Sequence, residues 1–263
     1  MPAEKAMRLE RNGGLARLTF TDPDRGNPID GRFCSELAEV AALLATDRDL
    51  RCVLVAAEGR AFSYGGDISS FVGKSEELPS IILRWTTTFH SAIARMQRID
   101  APIVAMVHGM CAGGMAGFVA GCDLVVAAPK ASFYAAYPGI GFSCDGGSSI
   151  MYARRMGPAR ARRFLLLDEK LDASQALAVG LVDEVVPADE LVEKAEALAA
   201  RLASGPTKAF GEMRRLLLSV SDQPLETQLE REAQALARIA ATADAQEGLA
   251  AFAAKRPPRF QGR

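Results

Sequence analysis

The chain has 263 residues, 49% apolar and 24% charged, with a formal net charge of −1, which suits one large soluble domain or one domain with an appendage. No basic surplus points to nucleic acid and no block of like charge to a tail, and no membrane-spanning helix is expected. The opening MPAEKAMRLE lacks an apolar signal core, no two of the five cysteines form C-x-x-C, and the two histidines form no H-x-x-x-H pair, so the sequence predicts a cytoplasmic protein without disulfides or a metal site.

In chain order, MRLERNGGLARLTF reads as a hairpin, with Asn12 and Gly13 supplying the turn's positive φ. DGRFCSELAEVAALLATD reads as an amphipathic helix, with Phe33, Leu37, Val40, Ala41 and Leu44 at helical spacing. RCVLVAA, residues 51–57, is a buried-strand run that ends in the glycine loop of EGRAFSYGGDI. SIILRWTTTFHSAIARM is a helix; PIVAMVHG is a second buried strand, followed by the glycine-rich MCAGGMAGFVAG. CDLVVAA and ASFYAA are further strands, PARARRFLLL and DASQALAVG short helices, the latter closed by Gly180, and LVDEVV another strand. From Glu190 onward the pattern is helical throughout, with an apolar stripe that needs a covering surface. An α/β core with a helical extension follows.

Three partial motifs fail on single residues. VGKS has Ile68 where a phosphate loop needs glycine; GIGFSC has Cys144 at the third glycine of a dinucleotide fingerprint; GFSCD ends in Asp145 rather than the glycine of a nucleophile elbow. What remains is two loops of one kind, SYGGD and CAGGMAG, each following a buried strand. Glycines there either permit tight helix–strand packing or let backbone N–H groups converge on a ligand oxygen as it gains negative charge. Further on, SCDGGSS places one acid, Asp145, among small residues. It is either the N-cap of the next helix or a carboxylate aimed into a pocket.

IVAMVHGMCAGGMAGFVAGCDLVVAAPKASF resembles the signature of the crotonase superfamily, the enoyl-CoA hydratases and isomerases, and AFSYGGDI is similar to that family's other oxyanion loop. DASQALAVGLVDEVVP and EGLAAFAAKRPPRF match further landmarks, in order, over nearly the whole chain. The resemblance implies an α/β fold with a ββα spiral core over residues 1–203, a helical oligomerisation region over 204–263, acyl-CoA thioester substrates with no cofactor beyond the coenzyme A they carry, and a homotrimer or dimer of trimers.

Residue by residue, it places Gly66 and Gly114 at the two amides that hold the thioester oxygen. The two hydratase glutamates fall on Gly117 and Tyr137, so both are missing. Asp145 remains, placed as in isomerase-type members and as the nucleophilic aspartate of 4-chlorobenzoyl-CoA dehalogenases, which carry tryptophan at the Tyr137 position. One carboxylate suffices to carry a proton from C2 to C4 of a 3-enoyl thioester, whereas adding water usually calls on two groups. The expectation is an enoyl-CoA isomerase with Asp145 as proton shuttle; the alternatives are a hydratase, an aryl-CoA dehalogenase, or a non-catalytic CoA-binding paralogue. Ser63, Tyr64 and Asp67 of the first loop are candidate substrate contacts. Arg25 is expected near the CoA phosphates or in solvent, and Phe252 and Lys255 at a neighbouring subunit's CoA or on the surface. Trp85 and His90, on one helix, face the acyl pocket or are packed in the core. Tyr137 bonds Asp145 or the substrate, or is simply packed.

Overall fold

The computed structural model describes residues 5–263; residues 1–4 of the expected core lie outside the described residues. β1 (Met7–Asn12) and β2 (Leu15–Phe20) form the antiparallel hairpin. Its turn is one residue further on than predicted. Asn12 already pairs with Leu15, and Gly13 alone takes a left-handed φ, 56°. Glycine takes that conformation without a Cβ clash, so the turn settles on Gly13-Gly14.

From β2 the sheet continues in parallel through β3 (Cys52–Ala57), β4 (Ile103–Val107), β6 (Leu124–Ala127) and β9 (Glu184–Val185). Both faces are covered, which explains why β3 and β4 read as unbroken apolar runs rather than alternating ones. Alternate residues enter different cores. Cys52, Leu54, Ala56, Val104 and Met106 pack against Leu191, Ala195 and Ala199 of α7 (Leu191–Ala203). Val53, Val55, Ile103 and Ala105 join the larger core with Phe33 and Leu37 of α1 (Gly31–Thr46) and Phe89 and Met96 of α2 (Leu78–Met96).

A second sheet of three short strands, β5 (Met110–Ala112), β7 (Ser132–Tyr134) and β8 (Lys170–Asp172), stands beside the first. β5 runs straight into α3 (Gly113–Ala120). The loops that leave the C-terminal ends of neighbouring parallel strands β3 and β4 are therefore side by side, the usual place for a ligand in an open α/β sheet. Four cysteines are buried and Cys144 is half-buried, all as free thiols. Burial pushes the thiols of Cys34, Cys52 and Cys122 up to about 12.

The helical region comprises α8 (Thr207–Ser219), α9 (Leu225–Ala240) and α10 (Ala243–Ala253). The long helical pattern after residue 225 is two helices, because Thr242 Oγ1 accepts the Ala245 N–H at 3.2 Å and starts α10 afresh. α8 is tied to the core by Arg214, whose side chain is 7% exposed. Its Nε donates to Asp123 Oδ1 at 2.8 Å and its other nitrogens to the Ile99 and Met96 carbonyls. Asp123 Oδ2 in turn accepts the Ile103 N–H at the start of β4, at 2.7 Å. Arg214→Leu takes the partner from Asp123 Oδ1 and from the Ile99 and Met96 carbonyls. The expected loss is about 3 kcal/mol of stability in denaturant unfolding.

Candidate active site

The two glycine loops touch through their backbones. The Ser63 N–H donates to Met110 O and the Ala112 N–H to Ser63 O, both at 3.0 Å, which sets Ser63 opposite Cys111 in a parallel bridge. Three residues on along each chain come Gly66 and Gly114. Between them Gly65, with φ 87°, approaches so closely that a Cβ on it would stand 2.9 Å from Ala112 O. Ile29 exchanges backbone bonds with Gly65 and Asp67 (2.8 and 3.0 Å). The Gly66 N–H therefore faces away from Ile29, and no described residue accepts from it. Gly114 is the second residue of α3, in the first turn, where an N–H has no acceptor within the helix. Both glycines line one cavity of about 390 Å³.

Asp145 lines the same cavity. It does not cap the helix that follows. α4 (Ser148–Met156) begins after Gly147, which has φ 79° and gives no side-chain cap bond. The loop is held by glycine contacts instead. Gly146, φ 62°, lies against α3 so closely that a Cβ there would meet Gly114 O at 2.6 Å and Gly114 Cα at 2.9 Å. That approach brings the neighbouring carboxylate over Gly114: a Cβ on Gly114 would be 2.8 Å from Asp145 Oδ1. Oδ1 accepts from the Tyr137 hydroxyl at 2.7 Å. With its one proton so committed, Tyr137 Oη accepts from Ser148 Oγ at 3.1 Å. Burial, reinforced by the charge of Asp145, pushes the Tyr137 hydroxyl far above its ordinary value, so it remains a donor. No described residue bonds Oδ2.

The position of the first hydratase glutamate is filled by backbone. A Cβ on Gly117 would stand 2.3 Å from Ser148 Oγ and 3.0 Å from both Ser148 Cα and Ser148 N. α4 thus starts in the space that a side chain there would use. At the second position stands Tyr137, 8% exposed.

The other candidate residues divide. Tyr64 and Trp85 line the cavity. His90 does not; it borders an adjoining cleft that Asp145 also reaches. Its Nε2 accepts the Gly146 N–H at 2.9 Å, which assigns the ring proton to Nδ1 and steadies the turn carrying Asp145. His90 is exposed rather than packed in the core. Ser63 is fully buried and outside the cavity lining: its hydroxyl donates to Asn27 O at 2.7 Å and accepts the Gly65 N–H at 3.0 Å, shaping the loop. Arg25, also outside the lining, bonds Asp22, Asp30 and Asp67 at 3.0, 2.9 and 2.8 Å. Burial opposes ionisation of Asp67, yet bonds from Ser69 and Arg25 hold its carboxyl below the usual range. Phe252, 85% exposed, and Lys255, with φ 52°, stand at the end of α10 outside the cavity lining.

Sequence reasoning missed Ser148, Phe71 and Phe142. Phe71 closes a short 3₁₀ helix, Ile68–Phe71, and Phe142 sits in a loop, both outside any periodic pattern; a large apolar residue beside a glycine-rich loop is the signal that could have found them. Ser148 becomes notable only once Gly117 and Tyr137 are seen around it.

The comparisons with known proteins agree with this architecture. A model of the family described as enoyl-CoA hydratase/isomerase matches residues 10–263. A 1,2-epoxyphenylacetyl-CoA isomerase of Escherichia coli (strain K12) is 33% identical, over 95% of this chain and 96% of its own. A 4-chlorobenzoyl coenzyme A dehalogenase-1 of an Arthrobacter species is 30% identical, over 86% of this chain and 82% of its own. A crystal structure of an enoyl-CoA hydratase from Mycobacterium smegmatis, 27% identical, matches with a TM-score of 0.90 over 98% of this chain and 99% of that one. Three activities are named among these relatives, so the shared scaffold does not choose the reaction. The fold, the paired glycine loops and the matches along almost the whole chain place it in the enoyl-CoA hydratase/isomerase family of the crotonase superfamily, as an acyl-CoA-processing enzyme.

Proposed function

We propose that the chain is an enoyl-CoA isomerase that moves a C=C bond from the 3 to the 2 position of an acyl-CoA thioester. The Gly66 and Gly114 N–H groups hold the thioester oxygen. Asp145 Oδ2 takes a proton from C2; the electron pair passes into a dienolate whose charge rests on the held oxygen; the same carboxyl returns the proton at C4. Tyr137 fixes the other carboxyl oxygen, so the reacting one is presented in one direction. Coenzyme A enters only as part of the substrate. The observation that carries this reading is a single carboxylate with one unbonded oxygen above Gly114, while backbone fills the place of a second acid. The test follows a 3-enoyl-CoA by the absorbance of the conjugated thioester it becomes. Conversion without water addition is the expected result; accumulation of 3-hydroxyacyl-CoA from a 2-enoyl-CoA overturns it.

Tyr137→Phe keeps Asp145 and the ring but removes the bond to Oδ1. It should lower kcat about tenfold, near 1.4 kcal/mol, and leave KM within about twofold, since the bond orients the acid rather than binding substrate.

A second reading is favoured by the aromatic cavity and the chlorobenzoyl-CoA dehalogenase relative. In it Asp145 Oδ2 attacks a halide-bearing ring carbon, halide leaves, and water hydrolyses the aryl ester. Mass spectrometry after a quench distinguishes the two, since only this route leaves an aspartyl adduct on the chain.

The 204–263 region is proposed as the contact between copies. Leu225, Leu229 and Leu236 share one exposed face of α9, at 68%, 54% and 72% exposure. Light scattering on the purified chain reads a trimer or hexamer if that face is covered.

A further inference from the structure

We infer that the acyl site is built for a ring-bearing acyl group, so that the substrate is an aryl or arylalkyl thioester rather than a straight-chain one; this rests on the cavity being the acyl site. Aromatic residues make up 6% of the chain, yet 7 of the 20 residues lining the cavity are aromatic. They include the only tryptophan and three of the four tyrosines.

Their arrangement is more telling than their number. Phe142, Phe71 and Trp85 form a row: Phe71 and Trp85 have ring centroids 5.4 Å apart at 39°, and Phe71 and Phe142 are 6.3 Å apart at 31°. Three neighbouring rings, tilted by 39° and 31° to one another, give one wall of the cavity a continuous aromatic surface, against which a planar ring can pack offset or edge to face. A flexible chain covers such a wall only by giving up its rotamers.

Several polar side chains around the cavity are taken up within the protein. The Tyr134 hydroxyl is bonded to Asp168 at 2.8 Å, that of Tyr137 to Asp145, and that of Thr86 to Ile82 O at 2.7 Å. The protons of these three hydroxyls are committed within the protein. The polar groups without a bond to a described residue are Asp145 Oδ2 and the two glycine amides, where the thioester would sit, together with the Tyr64 and Ser143 hydroxyls and the Trp85 indole N–H.

The experiment uses the chain's own reporter, since Trp85 is its only tryptophan and stands in the wall. Its fluorescence is titrated with phenylacetyl-CoA and with octanoyl-CoA, which carry equal numbers of acyl carbons. Neither has a double bond that can migrate, so binding is read independently of turnover, and an inactive Asp145→Asn result would leave this comparison intact. The expected result is phenylacetyl-CoA binding at least about tenfold tighter, even though the octanoyl chain is the more flexible and the more adaptable to a generic apolar cleft. In Phe71→Leu, Phe142→Leu and their combination the preference should fall below about threefold, while free coenzyme A binds as before. Octanoyl-CoA binding as tightly as phenylacetyl-CoA in the unmodified chain overturns the inference whether or not the variants fold. So does a preference that survives the loss of both phenylalanines.

Discussion

Asp145→Asn should lower kcat for 3-enoyl-CoA isomerisation by about 10³-fold, close to 4 kcal/mol of barrier, with KM nearly unchanged. The substitution is isosteric, and the amide oxygen can still accept from the Tyr137 hydroxyl that bonds Oδ1 at 2.7 Å. The glycine amides, the wall and the Gly146 contact against Gly114 are all retained. What disappears is the basic oxygen proposed to take the proton from C2. The residual rate reports what the held thioester oxygen does alone. Thermal stability should be unchanged or slightly higher, because a half-buried carboxylate with one unbonded oxygen contributes little to folding. Steady-state rates paired with a melting curve check both halves. A kcat within tenfold of the unmodified enzyme removes Asp145 from the chemistry.

Much of this arrangement is written locally in the sequence. β3 and β4 announce themselves as unbroken β-branched and apolar runs because each is buried on two faces, and the glycines after them mark the loops that line the cavity. α1 is legible from its apolar spacing and from Asp30, whose side chain accepts the Phe33 N–H at 2.9 Å. β8 is not legible: three residues, two of them exposed and charged, become a strand only because β7 pairs with them. The break between α9 and α10 hides in an alanine-rich stretch where one threonine decides it.

The two readings of Asp145 show where local inference ends. An acid followed by two glycines and two serines satisfies a cap and a pocket equally well. The choice is made by Gly146 and Gly147, whose φ values of 62° and 79° carry the chain past the acid before α4 begins. Gly146 also needs Gly114, 32 residues earlier, to pack against, just as Gly117 needs Ser148. Contacts of this kind leave no periodicity in the sequence. The same holds for His90, which looks like an ordinary mid-helix residue until its ring nitrogen is seen to accept from Gly146.

The Gly117–Ser148 contact yields the second large effect. Gly117→Glu restores, on paper, an acid that hydratases of the family carry, and it should nevertheless give no hydratase activity. The Cβ alone would stand 2.3 Å from Ser148 Oγ and 3.0 Å from the Ser148 backbone. The hydroxyl can rotate, but only by releasing Tyr137; the backbone can yield only if α4 moves off α3, and Gly146 with it. A carboxylate would then have to be desolvated in the gap. Overpacking and charge burial together should cost about 3 kcal/mol or more, lowering the melting temperature by about 6–12 °C. Isomerase turnover falls as well, since the loop bearing Asp145 is displaced. A pair of controls separates sterics from charge. Gly117→Ala should be destabilised by a smaller amount, and adding Ser148→Ala, which removes the atom at 2.3 Å, should restore part of the loss. The same Ser148→Ala change should do little for Gly117→Glu. A stable Gly117→Glu enzyme that hydrates 2-enoyl-CoA would mean that α4 can give way, and that the choice between water addition and proton transfer lies in one side chain rather than in how two helices meet.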